Sequence, residues 1–243
     1  MSAIQHCDLT WPTPAENLAC DEALLDQFEE AGGPGVLRFW EPAESFVVVG
    51  YANRLSTEVN LEFCRQAGIP VLRRCSGGGT VLQGPGCLNY SLVLRIEDSP
   101  HLASINATNR FILDRNQAAL EGLLGTKVDL KGHTDLAVGG LKFSGNAQRR
   151  KRLCLLFHGT FLLDFDLSLI ETALPMPSKQ PDYRVNRPHR EFLRNLNLRP
   201  QQVKTALRAA WQATEELTRI PHDRIDSLVR EQYGLASWHG RFG

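Results

Sequence analysis

Neither sign of charge predominates in this sequence: 27 Lys and Arg stand against 27 Asp and Glu over 243 residues. A protein that holds nucleic acid by counterion release needs a basic surplus, so the balance argues against a nucleic-acid partner. No apolar run approaches the roughly 18 residues of a membrane span. The first residues, Met1-Ser-Ala-Ile-Gln-His-Cys-Asp8, lack the basic flank and apolar stretch of an export signal. Six cysteines (Cys7, Cys20, Cys64, Cys75, Cys87 and Cys154) are scattered without CxxC spacing. In a chain without an export signal they read as reduced thiols, not as disulfides or a zinc site. Internal repeats, low-complexity tracts and Pro/Ser-rich linkers are also missing. The expectation is a cytoplasmic protein without membrane partners. Its 42% hydrophobic and 22% charged residues are enough to bury a substantial core.

What is present organises into helices and strands. Thr13-Pro14-Ala15-Glu16 is a helix start, with Thr13 as cap, Pro14 at the first helical position and Glu16 as capping-box partner. Leu18, Leu24, Leu25 and Phe28 continue it as an apolar stripe up to Gly32-Gly33. Strands are predicted over residues 36–40, 46–50 and 70–74, and a short helix runs from Asn60 to Gly68. Leu88, Tyr90, Leu92 and Leu94 alternate with Asn89, Ser91, Val93 and Arg95, a strand with two unlike faces. A long helix is predicted over 104–124, short strands between 127 and 163, and helices over 167–174, 189–195, 200–217 and 223–233. The basic run Arg149-Arg150-Lys151-Arg152 reads as a solvated loop. Strand clusters mixed with helices, without regular βαβ alternation, predict an α+β fold. We expect one domain over 1–243, with a helical tail over about 166–243 packed on it.

Three segments carry chemistry. In Arg73-Arg74-Cys75-Ser76-Gly77-Gly78-Gly79-Thr80-Val81, three glycines let backbone approach a ligand and aim N–H groups at an anion, beside two guanidinium groups. A glycine triplet alone also suits a plain turn. Thr134-Asp135-Leu-Ala-Val-Gly-Gly-Leu-Lys142-Phe-Ser-Gly-Asn-Ala-Gln148 sets a lysine among apolar and small residues. There an ammonium can stabilise charge on a carboxyl or phosphoryl oxygen; the alternative is a hairpin around Gly139-Gly140 with Lys142 in solvent. In the third segment, residues 155–163, His158 and Thr160 interrupt an apolar strand, and Gly159 opens room beside the imidazole.

Taken in order, these segments resemble the lipoate–protein ligase A family, within the biotin/lipoate ligase and octanoyltransferase superfamily. The carrying residues are Arg73-Arg74-x-Ser76-Gly77-Gly78-Gly79-Thr80-Val81, Gly86-Cys87-Leu88-Asn89-Tyr90-Ser91, Asp135-Leu136 through Lys142-Phe143-Ser144-Gly145-Asn146-Ala147, and His158-Gly159-Thr160. Asn17-Leu-Ala-Cys-Asp-Glu-Ala-Leu24 and Leu37-Arg-Phe-Trp40 support it. The resemblance implies a mixed, largely antiparallel sheet flanked by helices, and two half-reactions: lipoate and Mg-ATP give lipoyl-adenylate, and a carrier lysine then displaces AMP. Position by position it implies that Arg74 meets the phosphates and that Gly79, Thr80, Val81 and Leu82 line the adenylate through backbone N–H groups. Lys142 is implied as catalytic, touching acyl carboxyl and α-phosphate, and Asp135 as nucleotide-side acid and transient Mg2+ ligand. Arg74, Ser76, Gly78, Lys142, Ala147 and His158 are implied on the lipoate side. Leu72, Val81 and the strand around Phe157 are candidate walls of the acyl pocket.

The implied partner is a lipoyl domain or an H-protein-like carrier. Larger members of the family carry a C-terminal accessory domain, so here that domain is expected as a separate polypeptide or not at all. Arg184, Arg187, His189 and Arg190 are candidates to meet an acidic carrier, or else a salt-bridged loop. Cys87 stands where such ligases often carry a polar residue. The rival is octanoyl or lipoyl transfer through a cysteine thioester. Lys127-Val-Asp-Leu-Lys-Gly-His-Thr134 contains no cysteine, however, and Cys154 is the only thiol shortly after the lysine. Biotin ligase is weaker, since the Gly-Arg-Gly-Arg loop is absent; a non-catalytic lipoate- or carrier-binding protein would predict loss of the lysine or the glycine loop.

Overall fold

The computed structural model describes residues 2–242. Eleven strands and nine α-helices are described: β1 (Ile4–Asp8), α1 (Pro14–Ala31), β2 (Gly35–Trp40), β3 (Phe46–Val49), α2 (Leu55–Glu58), α3 (Leu61–Gln66), β4 (Val71–Arg73), β5 (Val81–Gln83), β6 (Cys87–Arg95), α4 (Ile105–Leu124), β7 (Asp129–Lys131), β8 (Asp135–Val138), β9 (Leu141–Arg150), β10 (Cys154–Leu162), α5 (Leu167–Ala173), α6 (His189–Phe192), α7 (Pro200–Ala210), β11 (Glu215–Glu216), α8 (His222–Leu228) and α9 (Ala236–His239). The main sheet has the order β11-β1-β2-β6-β10-β9-β8-β7, and a smaller one the order β4-β3-β5. In the main sheet only β11–β1 and β1–β2 are parallel; every other pairing is antiparallel. The fold is therefore α+β with a mixed, largely antiparallel sheet, as expected.

Helix α1 starts as its sequence dictates: Thr13 accepts from the Glu16 N–H, and Glu16 accepts from the Thr13 N–H at 2.8 Å, a reciprocal capping box. Its apolar stripe lies on one face of the main sheet with Val36, Trp40, Val93 and Leu156. Helices α4 and α7 cover the opposite face, where Leu88, Tyr90, Leu92, Phe157 and Phe161 meet Ile112, Leu113, Leu120, Val203 and Leu207. Strand β6 is buried on both faces, so its polar residues do not face water. Among the described residues no helix is long and apolar enough to cross a membrane.

The structure differs from the sequence-based elements at two places beside the site. The helix expected over 200–217 ends at Ala210: Trp211 buries its ring against Phe111 and donates to Asn116 Oδ1 at 2.8 Å, and Gln212 turns left-handed (φ 52°). The chain then enters β11 beside β1, a strand the sequence does not announce. The helix expected over 189–195 stops at Phe192, because Leu193 bridges Lys142 and the Arg194 N–H donates to the Lys142 carbonyl at 2.9 Å. That clamp holds the 175–194 segment against the lysine strand. The basic run expected as a solvated loop is half strand: Arg149 and Arg150 end β9, with Arg150 donating to Thr108 Oγ1 and the Leu102 carbonyl, and in the turn that follows Glu29 accepts the N–H groups of Arg152, Leu153 and Cys154.

Candidate active site

Cross-strand register lays the site out on one face of the main sheet. Arg38 stands opposite Ser91, Ser91 opposite His158, and His158 opposite Ala147. One step along, Trp40, Asn89, Thr160 and Gly145 form the next row. Since side chains alternate along a strand, both rows point the same way, toward α1 and the glycine-rich loop.

Within the first row His158 joins three elements. Its Nε2 lies 2.6 Å from Ser76 Oγ, and its Nδ1 3.4 Å from Asp21 Oδ2. Asp21 Oδ1 also accepts from Arg38 Nη1 at 2.6 Å and Ser91 Oγ at 2.8 Å. A carboxylate can only accept, so Nδ1 carries the proton that faces Asp21, and Nε2 is left to pair with the Ser76 hydroxyl. Burial alone would push the Asp21 carboxyl up, but Arg38, His158 and Ser91 together hold it below the usual carboxylate range. The second row closes on itself: Gln83 Nε2 donates to Thr160 Oγ1 at 2.7 Å, and Thr160 to Asn89 Oδ1 at 2.5 Å.

Lys142 reaches the same face through a β-bulge. Between the pairs Ala137–Lys142 and Leu136–Ser144, β9 spends one residue more than β8. The extra residue, Phe143, enters the core, and the strand's alternation is re-aimed so that Lys142 and Asp135 share the site face. The hairpin at Gly139-Gly140 is real, both glycines having positive φ (60° and 78°), yet Lys142 does not extend into solvent. Its Nζ sits 2.8 Å from Asp135 Oδ1 and bends back over Gly145. Asp135 Oδ2 accepts from the Tyr183 hydroxyl at 2.8 Å, and burial with the Asp135 charge pushes the Tyr183 phenol up.

The small residues of this motif have separate reasons. At Gly145 a Cβ would stand 2.9 Å from Lys142 Nζ and 3.1 Å from its Cε. Gly145→Ala is therefore expected to lower turnover about 100-fold by displacing the ammonium, with stability changed by at most about 1 kcal/mol. Kinetics beside a thermal melt checks it; unchanged turnover would refute the placement. At Gly159 a Cβ would overlap Asn146 Oδ1. Asn146 needs that space, since it accepts from Tyr90 at 2.7 Å and donates to the Thr134 carbonyl at 2.7 Å, fixing the approach to Asp135.

The glycine-rich loop meets the first row at His158 and Ala147. Arg74 is buried within it, donating to the carbonyls of Gly77 (2.6 Å) and Gly79 (2.8 Å) and to Ser76 Oγ (3.0 Å), and burial lowers it to about 10. Gly78 approaches Ala147, with φ 89° that favours glycine. Gly77, Gly78 and Gly79 are exposed, Thr80 and Val81 half-buried. Leu82 turns its side chain into the core with Val47, Val49 and Phe165, which leaves only its backbone for a ligand. Arg74, Ser76, Gly78, Ala147 and His158 thus converge over the middle of β9 and β10, and Asp135 and Lys142 lie further along the same face. Arg73 does not join them; its guanidinium is turned the other way and fully buried.

Asp21, Arg38, Ser91 and Tyr183 are site residues to which sequence reasoning gave no role. A signal existed for two: Asp21 lies on the apolar stripe of α1, between Leu18 and Leu25, and Arg38 sits in an otherwise apolar strand. Tyr183 is joined to Asp135 only by folding.

The residues present do not make a resident metal site. Among the described residues no group of three or more His, Cys, Asp or Glu is gathered, and both Asp135 oxygens already have partners. Asp135, expected as a transient Mg2+ ligand, here holds Lys142 and accepts from Tyr183, and no step is routed through a metal at it. Arginines 184 and 187 serve their own segment: Arg184 donates to the Arg187 carbonyl, and Arg187 to those of Arg184, Tyr183 and Gly140. Arg190 pairs with Glu171 at 2.7 Å, and His189 is buried.

Every cysteine is buried and free. Burial pushes the Cys87 thiol up to about 12 and the Cys75 thiol still higher. Cys154 lies at the far end of the β9–β10 hairpin from Lys142, 3.0 Å from Glu29 Oε2, where burial and the carboxylate raise it.

Comparisons with known proteins agree with this geometry. A putative lipoate-protein ligase A of Aeropyrum pernix is 34% identical over 161 residues, 66% of this chain and 58% of that protein. The octanoyltransferase LipM of Brevibacillus brevis is 27% identical over 94% of the chain and 95% of its own length. Lipoate-protein ligase A subunit 1 of Thermoplasma acidophilum is 26% identical over 92% and 90%. Among solved structures, the bipartite lipoate protein ligase of T. acidophilum, described with its E2 lipoyl domain, superposes with a TM-score of 0.85 at 23% identity over 100% of this chain and 98% of that one. A lipoate-protein ligase A bound with ATP superposes at 0.82, with 23% identity over 100% and 99%. The family model of the lipoyl protein ligase A/B catalytic domain matches residues 13–212. The chain belongs to that family, and is an enzyme of the lipoate ligase and octanoyltransferase group.

Proposed function

We propose that the protein activates lipoate with ATP as lipoyl-adenylate and passes the lipoyl group to a lysine of a carrier domain. The observation that carries this over thioester transfer is the state of the thiols. A cysteine nucleophile must be an accessible thiolate near the reacting carboxyl, and Cys75, Cys87 and Cys154 are buried, raised and turned elsewhere. Without a protein nucleophile, a phosphoanhydride is the available means of activating the carboxylate.

In the first half-reaction a lipoate carboxylate oxygen attacks the α-phosphorus and pyrophosphate leaves. Two anions must meet, and Lys142, bent over Gly145, supplies positive charge between them, with Asp135 holding the ammonium until substrate replaces it. Backbone N–H groups at Gly79, Thr80 and Val81 suit the phosphate, and His158 with Ser76 stands where the acyl chain enters. In the second half-reaction the carrier amine attacks the acyl carbon, AMP departs, and the amine proton goes to solvent. Lys142 then stabilises both the carbonyl oxygen and the departing phosphate. Mg2+ arrives on the nucleotide phosphates. Because a two-subunit ligase is among the relatives, a separate accessory polypeptide belongs to the proposal, and transfer from preformed lipoyl-adenylate tests this chain without it.

The near full-length likeness to LipM favours a second reading, octanoyl transfer from a carrier. One experiment separates them. The purified protein is offered a lipoyl domain with lipoate and Mg-ATP, with synthetic lipoyl-adenylate, or with octanoyl-carrier alone. Transfer from lipoyl-adenylate, with none from octanoyl-carrier alone, is the expected result, and lipoate-dependent ATP–pyrophosphate exchange is expected once any accessory polypeptide is present. Transfer from octanoyl-carrier without nucleotide, with an acylated cysteine in the mass spectrum, would sink the ligase reading.

A further inference from the structure

Arg73 precedes the loop arginine, yet each nitrogen of its side chain donates to backbone carbonyls outside the glycine-rich loop. Nη1 donates to the carbonyls of Gly50 (2.9 Å), Tyr51 (2.9 Å) and Asn53 (2.8 Å), and Nε and Nη2 donate to the His239 carbonyl (3.1 and 2.8 Å). Its backbone is fastened to the same segment: the Arg73 N–H donates to His239 Nδ1 at 3.0 Å, and Trp238 Nε1 donates to the Arg73 carbonyl at 2.8 Å. His239 Nε2 lies 3.0 Å from the Tyr233 carbonyl, so that nitrogen carries the proton and Nδ1 is free to accept.

The segment that Arg73 gathers, residues 50–53, is the bed on which the glycine-rich loop lies. The Tyr51 N–H donates to the Ser76 carbonyl at 2.8 Å. Asn53 Nδ2 donates to the Gly78 carbonyl at 3.1 Å and to Thr80 Oγ1 at 3.4 Å. A Cβ at Gly50 would stand 2.1 Å from the Gly78 carbonyl oxygen, so the two stretches of backbone touch. The Tyr51 ring is held in turn by Trp238 (5.9 Å), Phe242 (5.7 Å) and the guanidinium of Arg241 (5.0 Å).

We propose that residues 235–242, acting through Arg73 and Tyr51, form a clasp that holds the glycine-rich loop in its ligand-binding shape. Tyr51, Asn53, Arg73, Trp238 and His239 are then positioning residues, which touch no substrate. The segment lies beyond the residues matched to the family, and nothing in the loop's own sequence reveals its dependence on it. The ligand concerned rests on the reading of the loop as an adenylate site; the mechanical claim does not. Removing one half of the clasp strands buried donors on Arg73 and buried carbonyls in 50–53, each costly to leave unpaired, and the bed loosens before the central strands do.

The test uses the full chain with Trp238→Ala or His239→Ala, and Phe242→Ala as a milder surface variant in case either fails to fold. Hydrogen exchange read by mass spectrometry without ligands is compared with the kinetics of transfer to a lipoyl domain. The clasp predicts exchange about tenfold faster or more at residues 76–81, with β6 and β10 unchanged, because local openings report local stability. It also predicts KM for the adenylate raised about tenfold while kcat stays within about threefold, the pattern of a lost binding geometry. Unchanged exchange at 76–81, or equal acceleration in β6 and β10, would overturn it. If the wild-type protein proves inert toward nucleotide and adenylate, the ligase reading fails while the exchange comparison still decides the clasp.

Discussion

Lys142→Ala is expected to lower acyl transfer from lipoyl-adenylate about 1000-fold, the upper end of the loss when one preorganised stabilising group is removed. The size follows from placement. Lys142 is the cation that the bulge in β9 delivers to the site face, and its carboxylate partner Asp135 is itself fixed by Tyr183. Stability should barely respond: the lysine side chain is 24% exposed, and pairs of that kind are worth at most about 1 kcal/mol. A fall in rate with an unchanged melt would therefore report chemistry. Lys142→Arg keeps the charge but enlarges the head group where Gly145 already leaves under 3.0 Å for a Cβ, so recovery should be slight. A Lys142→Ala enzyme within about threefold of wild type would remove the residue from the mechanism and leave it a hairpin lysine.

How much of this site was legible in the sequence depends on how local the determining interaction is. The capping box at Thr13-Glu16 and the turn at Gly139-Gly140 are set by neighbours within a few residues, and both are found. Arg73 and Arg74 look equivalent in sequence, and folding sends one into the glycine-rich loop and the other into a clasp 166 residues away. Strand β11 could not be read from two glutamates; its pairing exists because Gln212 reverses the chain beside β1. The bulge is invisible for a similar reason. Lys142-Phe143-Ser144 alternates well enough for an ordinary strand, and only the register against Leu136-Ala137 shows the extra residue. Family likeness named the lysine and the histidine as candidates but gave no role to the buried acid behind the histidine, which meets the candidate site only through another side chain.

That acid should produce the largest effect on stability. Asp21→Ala is expected to destabilise the protein by about 3–5 kcal/mol, since it leaves Arg38 buried without a counter-charge. Arg38 is wholly inaccessible and Asp21 nearly so, and Ser91 and His158 lose the same acceptor. A fall in Tm of about 10 °C follows for a chain of this length. The pH dependence has a definite sign. Asp21 is held below the value it has when unfolded, so its contribution is complete above the unfolded value, near 3.9 for an aspartate, and disappears as pH falls through the lower folded value. The gap between wild type and Asp21→Ala should accordingly be flat from neutrality to about pH 4 and close only in stronger acid. Replacing the pair together, as Arg38→Met with Asp21→Leu, should recover much of the loss, because burying apolar groups avoids the desolvation of two ions. It should not recover transfer, since His158 would still lack the acceptor that fixes its Nδ1 proton and points Nε2 at Ser76. Denaturant melts from pH 3 to 8 beside transfer kinetics measure both halves. A double variant that regained activity along with stability would show that Asp21 serves the fold alone.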